Sequence, residues 1–276
     1  MIPRAQVTAW RAMAPWPSDA QIEQDLILSR ALVEIFSRSV VAQAFAFRGG
    51  SALHKLFLKR AGRYSEDIDL VQVDQCAIGP ALDSIRTALD PWLGTPRRNQ
   101  GQGRVTMLYR FETTSRPVQK MRLKVEINTR EHFNVFGLYP HPFIVENPWF
   151  SGRATIGTYQ IEELLGTKLR ALYQRKKGRD FYDLWLALTS LEIDDRKVVK
   201  CFERYLDHDG LSISRAEFEK NLAAKLNDPA FLEDITPLLP AGVAYNPTIA
   251  GSLIQKRFID RLRGKPWKGR SKKNDS

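Results

Sequence analysis

Two aspartates lie two residues apart in YSEDIDLV, a stretch that otherwise favours a strand. Side chains alternate between the two faces of a strand, so Asp67 and Asp69 point to the same side. Neighbouring carboxylates repel each other unless a cation lies between them or one of them takes up a proton. Mg²⁺ prefers oxygen ligands and is often completed by substrate phosphates, so the pair predicts a magnesium site suited to phosphoryl transfer. The alternative is an exposed strand end where both carboxylates are solvated.

A glycine pair in the sequence RGGS is the second candidate. It follows the short apolar segment FAF and precedes a helical pattern that begins near Ser51, which indicates a turn from a strand into a helix. Backbone amides at such a turn can bind an anion, because glycine has no Cβ to keep a phosphate away. We therefore predict that Gly49, Gly50 and the Ser51 hydroxyl bind nucleotide phosphate.

Three more polar residues could complete this site. Ser65 precedes the aspartates and is a candidate nucleotide-binding residue: a phosphoryl group on it would repel a triphosphate, or its hydroxyl could simply hydrogen-bond at the strand entry. Glu126, on the polar face of QKMRLKVEIN, is a third metal ligand or a general base if its strand neighbours the aspartates, or else pairs with Lys124 or Arg122. Lys168 falls in the apolar stripe of a helix, where it needs an anion such as a triphosphate or a carboxylate, or else extends to solvent.

The segment RKKGRDFYD carries charges of both signs. Asp180 and Asp183 are three residues apart on a predicted helix and share a side, so one could be the N-cap and the other could orient Lys168 or an arginine. Four basic residues predict a surface for polyphosphate or RNA backbone, namely Arg175, Lys176, Lys177 and Arg179. The alternative is a charged loop between helices.

The excess of positive charge is concentrated at the C-terminus. The net charge is +11, from 42 basic and 31 acidic residues. Residues 251–276 hold nine Lys or Arg and two Asp, a charge of +7, which leaves 11 − 7 = +4 for the rest. We predict a basic arm that contacts RNA through Lys265, Lys268 and Arg270, or else a solubilising tail.

The composition is that of a globular protein, with 43% hydrophobic and 26% charged residues. No apolar run approaches the roughly 18 residues of a membrane span, and the N-terminus shows no signal-peptide pattern. The two cysteines, Cys76 and Cys201, lack a metal-ligand spacing. We expect a cytoplasmic protein with free thiols.

The periodicities predict an α/β (α+β) first half and a helical second half. A capping box at Ser18 begins a helix. The predicted strands cover 45–47, 67–73, 104–112 and 119–128, and helices cover 79–93, 161–178 and a segment from 179. The Pro-rich segment 139–148 is predicted as a connection that could hold a short strand. The predicted domains are residues 1–155, 156–255 with the Lys/Asp motif, and a basic tail at 256–276.

Four segments in order, between about residues 20 and 190, resemble a known family: FRGGSALHKL, RYSEDIDLV, KVEIN and ELLGTKLRALYQRKKGRDFYDLW. Together they resemble the AbiEii-type nucleotidyltransferase toxins, including the MenT group, of the DNA polymerase β-like nucleotidyltransferase superfamily. The set of four is specific, although each motif alone is not. The resemblance implies a polymerase β-like nucleotidyltransferase domain with a mixed sheet, followed by a mainly helical C-terminal domain. It also implies a toxin of a type IV-like toxin–antitoxin or abortive infection system, with an antitoxin as partner.

The resemblance further implies a role for each motif. Gly50 and Ser51 would hold nucleotide phosphate, Asp67 and Asp69 would bind Mg²⁺, Lys168 would contact the triphosphate, and Asp180 or Asp183 would complete the site. The implied activity is transfer of a nucleotide from an NTP to the 3′ acceptor end of tRNA, which stops translation. The chain departs from the superfamily pattern in the fifteen residues between Ser51 and Asp67, and in Glu126 where aspartate is more usual.

Two other functions fit the same residues. A nucleotidyltransferase could act on a small molecule or a protein instead of RNA. A non-catalytic RNA-binding protein would need the aspartate pair to be structural.

Overall fold

A computed structural model describes residues 2–58 and 62–269. The chain forms two compact units, Met1–Gln160 with Leu238–Gly242, and Ile161–Pro237 with Val243–Ser276. The predicted domain limits stay a prediction. Arg270, one of the predicted RNA contacts, lies outside the described residues.

The first unit contains five helices and seven strands among its described residues. The helices are α1 (Arg4–Trp10), α2 (Asp19–Phe36), α3 (Ser39–Ala44), α4 (Gly49–Ala52) and α5 (Gly79–Leu93), and a π-helical turn, Leu53–Phe57, follows α4. The strands are β1 (Phe45–Arg48), β2 (Asp67–Gln72), β3 (Arg97–Gly101), β4 (Arg104–Glu112), β5 (Lys120–Asn128), β6 (Leu138–Asn147) and β7 (Phe150–Tyr159).

The strands form one mixed sheet in the order β3-β4-β5-β2-β1-β7-β6. β2 pairs with β5, and β1 with β7, in parallel, whereas the other neighbours are antiparallel. Helices α2 and α5 pack on one face, against buried side chains such as Ile68, Met107 and Val125. Helix α2 begins with the predicted capping box, in which the Ser18 side chain accepts from the Gln21 backbone N–H. The predicted mixed α/β sheet is therefore confirmed.

The predicted connection at 139–148 is a full strand as far as Asn147, within β6. β6 pairs antiparallel with β7 along ten residues, and it is the last strand of the sheet. Pro140 and Pro142 fit an edge strand, because proline has no backbone N–H to donate to a neighbour. Both residues occupy positions whose N–H would point away from the neighbouring strand. Strands β3 and β7 lacked a predictive pattern: every residue of β3 is exposed, and the sequence of β7, FSGRATIGTY, is mostly small or polar.

The described part of the second unit is helical, as predicted. Its helices are α6 (Ile161–Gln174), α7 (Gly178–Ser190), α8 (Asp195–His208), α9 (Arg215–Leu226), α10 (Pro229–Glu233) and α11 (Pro247–Arg257). Among the described residues of the whole chain, no helix combines the length and apolar character that a membrane crossing requires.

Gly178 begins a helix instead of ending one. Helix α6 stops at Gln174, and α7 starts at Gly178. A Cβ on Gly178 would lie 2.1 Å from the carbonyl oxygen of Phe231 on α10. The glycine therefore permits the close approach of two backbones, a requirement that sequence periodicity does not reveal.

We expect Gly178→Ala to lower the free energy of unfolding by about 1–3 kcal/mol, because backbone must move to admit the methyl group. Gly79→Ala is the matched control, since a Cβ on Gly79 meets nothing within 4 Å. Urea unfolding of both variants and the wild type measures the difference. Equal stability of Gly178→Ala and the wild type would contradict the close contact.

Candidate active site

The pairing of β2 with β5 assembles the predicted carboxylates. Asp69 lies opposite Glu126, and Asp67 lies opposite Lys124. Partners in neighbouring strands project to the same face, so Asp67, Asp69 and Glu126 form one acidic cluster. Glu126 was predicted to join the aspartates if its strand neighboured theirs, and β5 does neighbour β2.

Lys124 lies within this cluster and pairs with two of its carboxylates. Its Nζ is 2.9 Å from Asp67 Oδ2 and 3.4 Å from Glu126 Oε2. Burial opposes the charge of Lys124, but the hydrogen bond and the charge of Asp67 outweigh it, and the pKa of Lys124 is raised. Glu126 was alternatively predicted to pair with Lys124 or Arg122. The structure contains that pair as well, and the partner is Lys124.

Asp69 is the carboxylate whose charge is least compensated. Burial raises its pKa, and the charge of Asp67 raises it further, while Lys124 acts in the opposite direction. Glu126 adds to the increase and Arg48 opposes it. A bound divalent cation would remove the penalty on the ionised form of Asp69.

The glycine turn (residues 49–51) lies directly against this carboxylate. Gly49 has φ +82°, and a Cβ there would lie 2.3 Å from Asp69 Oδ2. A Cβ on Gly50 would lie 2.3 Å from an Nη atom of Arg63, a buried arginine. The left-handed backbone of Gly49 therefore requires glycine, whereas a side chain at Gly50 would displace the Arg63 guanidinium.

The two serines attach the glycine turn to β2. Ser51 Oγ donates to the backbone carbonyl of Asp67 at 2.5 Å and lies 2.8 Å from Ser65 Oγ. Ser65 therefore makes a hydrogen bond at the strand entry, which was one of its predicted roles. The phosphate-binding roles of both serines stay predictions.

Sequence reasoning missed two arginines beside the site. Arg48, opposite Asp69 in the β1–β2 pairing, forms an ion pair with Glu131. Arg63 is 4% exposed, and its Nη1 donates to the Tyr64 carbonyl at 2.9 Å. The positions of Arg48 directly before the glycine pair and of Arg63 shortly before the aspartates are the only signals in the sequence.

The donor set fits Mg²⁺ bound through two carboxylates. Within residues 2–58 and 62–269, no three His, Cys, Asp or Glu side chains are arranged to hold a metal ion. Mg²⁺ needs only one or two protein carboxylates when substrate phosphates complete its ligands, and Asp67 and Asp69 supply two on one face. The Lys124 ammonium group lies between Asp67 and Glu126, where it offsets their negative charge. The role of Glu126 as a metal ligand stays a prediction.

In the second unit, Lys168 is buried and paired. Its Nζ lies 2.6 Å from Oδ2 of Asp183, which is completely buried. The prediction that Lys168 lies on the apolar side of α6 and needs an anion was correct. The alternative, in which its side chain extends to solvent, is wrong. Asp180 instead binds Arg175 through two hydrogen bonds of 2.6 and 2.8 Å. Neither aspartate is the N-cap of α7, because Lys177 occupies that position.

Acidic partners offset much of the basic cluster before α7. Arg175 pairs with Asp180, Lys176 pairs with Asp228, and Lys177 Nζ lies 3.6 Å from Asp234. The backbone N–H of Arg179 donates to the same Asp234. Further along, Lys265 and Lys268 are exposed. RNA contacts at all these positions stay predictions.

The mixed sheet with its acidic cluster and glycine turn, followed by helices, defines a nucleotidyltransferase fold. Residues 30–251 match the family described as nucleotidyl transferase AbiEii toxin of type IV toxin–antitoxin systems. The chain therefore belongs to the AbiEii family, which makes it a nucleotidyltransferase toxin and confirms the resemblance.

Two solved structures support the fold. One is MenT4, a nucleotidyltransferase toxin from Mycobacterium tuberculosis H37Rv, with a TM-score of 0.69 and 19% identity, covering 96% of this chain and 91% of MenT4. The other is JHP933 from Helicobacter pylori, with a TM-score of 0.54 and 16% identity, covering 87% and 90% of the two chains. No curated protein gives a significant sequence match.

We expect Asp69→Asn to stabilise the metal-free protein at neutral pH by about 1 kcal/mol, a rise of about 2–4 °C in the melting temperature. The raised pKa of Asp69 means that the folded state holds this proton more tightly than the unfolded state. Stability contributed by the protonated form is lost as pH rises through the raised pKa, so the advantage of the variant should vanish in acid. Melting in EDTA across pH, with exposed Asp74→Asn as control, measures this. An Asp69→Asn protein that melts below the wild type at neutral pH would contradict it.

We expect Lys168→Met to cost about 3–5 kcal/mol of unfolding free energy, because it leaves Asp183 buried without its cation. Adding Asp183→Asn should recover at least half of that loss, as urea unfolding would show. A double variant no more stable than Lys168→Met would argue against the pair as the source of the cost. The double variant, once folded, also tests whether the Lys168–Asp183 pair contributes to transfer.

Proposed function

We propose that this protein uses Mg²⁺ to transfer a nucleotide from an NTP to an RNA acceptor, the 3′ end of tRNA, and thereby blocks translation in the cytoplasm. One observation carries the proposal: the β2–β5 register sets Asp67 and Asp69 on one face, beside the glycine turn. Membership of the AbiEii family supplies the reaction class and an NTP as substrate.

The reaction is a displacement at phosphorus. The acceptor hydroxyl oxygen forms a bond to the α-phosphorus, and the bond from that phosphorus to the bridging oxygen of the β-phosphate breaks. Pyrophosphate leaves with the bridging oxygen. Glu126 is the candidate base for the hydroxyl proton, and Lys124 orients its carboxylate.

The residues around the glycine turn would hold the nucleotide. Asp67 and Asp69 would bind Mg²⁺, which when bound offsets the negative charge of the phosphates. The turn offers backbone amides, and the Arg63 guanidinium beside Gly50 adds positive charge at the same place. The triphosphate contact of Lys168 and the completion of the site by Asp180 or Asp183 come from the family resemblance.

Charge and family membership support the proposed acceptor and partner. A net charge of +11 favours a polyanionic acceptor over a cationic small molecule. The type IV toxin–antitoxin family implies an antitoxin as protein partner.

We expect wild-type protein to label total tRNA from one of four α-labelled NTPs, with label lost in EDTA. Asp69→Asn should lower the rate by about 10²–10³-fold, because a group that holds charge in the transition state is removed. Asp74→Asn, an exposed aspartate after β2, should retain the rate. Label that enters protein or a small molecule but never tRNA would overturn the proposed acceptor.

A further inference from the structure

We infer that the RNA acceptor lies across the exposed face of β3, β4 and β5, held by basic side chains that lead away from the Asp67–Asp69 site. This inference rests on the proposed function, because it identifies where that acceptor binds. The set of five side chains is called the basic sheet face: Arg97, Arg104, Arg110, Lys120 and Arg122.

The strand register places these residues on the same face as the aspartates. Asp67 lies opposite Lys124, Lys124 opposite Leu108, and Leu108 opposite Arg97. Neighbouring strands are about 4.8 Å apart, so this row covers about 14 Å from the site to β3. The other members lie two or four residues from Lys124 or Leu108, and side chains at such spacings share a face.

Helices α2 and α5 cover the opposite face of the sheet, where Met107, Tyr109 and Val125 are buried. The basic sheet face is open instead. Arg97, Arg104, Arg110, Lys120 and Arg122 are all exposed. A strand of nucleic acid whose 3′ end reaches Asp67 and Asp69 would therefore find this surface accessible.

Four of these five side chains form no ion pair among the described residues, although Glu112 lies opposite Lys120 in the strand register. Across the described residues, no carboxylate forms an ion pair with Arg97, Arg110, Lys120 or Arg122, and Arg104 reaches only Glu126, at 3.8 Å. Arg110 and Arg122 are direct cross-strand partners, an arrangement of like charges that destabilises a sheet. A bound phosphate would relieve this repulsion. The basic cluster of residues 175–179, in contrast, is largely paired with aspartates.

A cavity of about 620 Å³ opens at the end of the β4–β5 hairpin. Its lining includes Arg110, Lys120 and Arg122, together with Phe111, Glu66 and Glu112. Basic side chains that line a groove suit a nucleic acid strand, since they offer contacts to its phosphates. The two glutamates would repel RNA and an acidic protein segment alike, so they do not distinguish the two ligands. RNA is favoured because the acceptor must deliver a hydroxyl group to the aspartates.

The test compares two double variants that remove the same charge. Arg110→Gln/Arg122→Gln removes the facing pair, whereas Arg86→Gln/Arg98→Gln removes one arginine from α5 and one from the opposite face of β3. Binding of labelled total tRNA without NTP is measured by fluorescence anisotropy between about 50 and 300 mM salt, a range in which added salt weakens phosphate contacts measurably. Melting curves verify that both variants are folded.

We expect the Arg110/Arg122 variant to bind tRNA roughly tenfold more weakly and to lower the slope of log K against log salt by about 2, with the Arg86/Arg98 control unchanged. Its KM for tRNA should rise while kcat stays the same.

Three other results would overturn the inference. If the variant binds tRNA as the wild type does while transfer to tRNA proceeds, the proposed function stands and the surface is wrong. If Lys265→Gln/Lys268→Gln weakens tRNA binding and Arg110→Gln/Arg122→Gln does not, the RNA contacts the C-terminal arm instead. If the Arg110/Arg122 variant keeps tRNA binding but loses inhibition by the antitoxin, the face binds an acidic protein. Failure of the wild type to bind or label tRNA would instead remove the proposed function itself.

Discussion

The parallel pairing of β2 with β5 is the constraint on which the site depends. It sets Asp69 opposite Glu126 and Asp67 opposite Lys124, and a shift of one residue would turn the acidic cluster to the other face. Burial prevents that shift, because Ile68 and Val125 alternate with the charged residues and lie in the core. Packing under α2 and α5 therefore determines where the carboxylates project.

The site combines more negative charge than its own cations offset. Lys124 compensates Asp67 and Glu126, while burial and neighbouring charge keep the pKa of Asp69 raised. Gly49 brings backbone directly against that carboxylate, so little room remains for a side chain to neutralise it from that side. Such an arrangement costs the free protein some stability, which the proposed Mg²⁺ would offset.

Basic residues serve different purposes in different parts of the chain. Lys168 is held by a buried aspartate, and the cations before α7 are largely paired with acids. On the basic sheet face, Arg110 and Arg122 lie opposite each other without an acidic partner among the described residues. Total charge alone would have directed attention to the C-terminal arm. The ion pairs instead distinguish charges that stabilise the fold from charges without an acidic partner among the described residues.

Strong local periodicity and distinctive residue chemistry were sufficient to predict part of the fold and of the site. The capping box of α2, the alternation in β5, the aspartates of β2 and the stripe position of Lys168 all follow from spacing, because helix and strand periods are properties of a short segment. Together the four motifs also determined the family.

Which of these residues contact each other depends on the tertiary structure. Strands β3, β6 and β7 are stabilised by their neighbours rather than by their own pattern, and Gly178 is required by the carbonyl of Phe231, which is distant in sequence. The partnerships of Lys124 with Asp67, Lys168 with Asp183, and Arg110 with Arg122 likewise depend on register and helix packing. Such contacts join residues far apart in the chain, so no local periodicity encodes them.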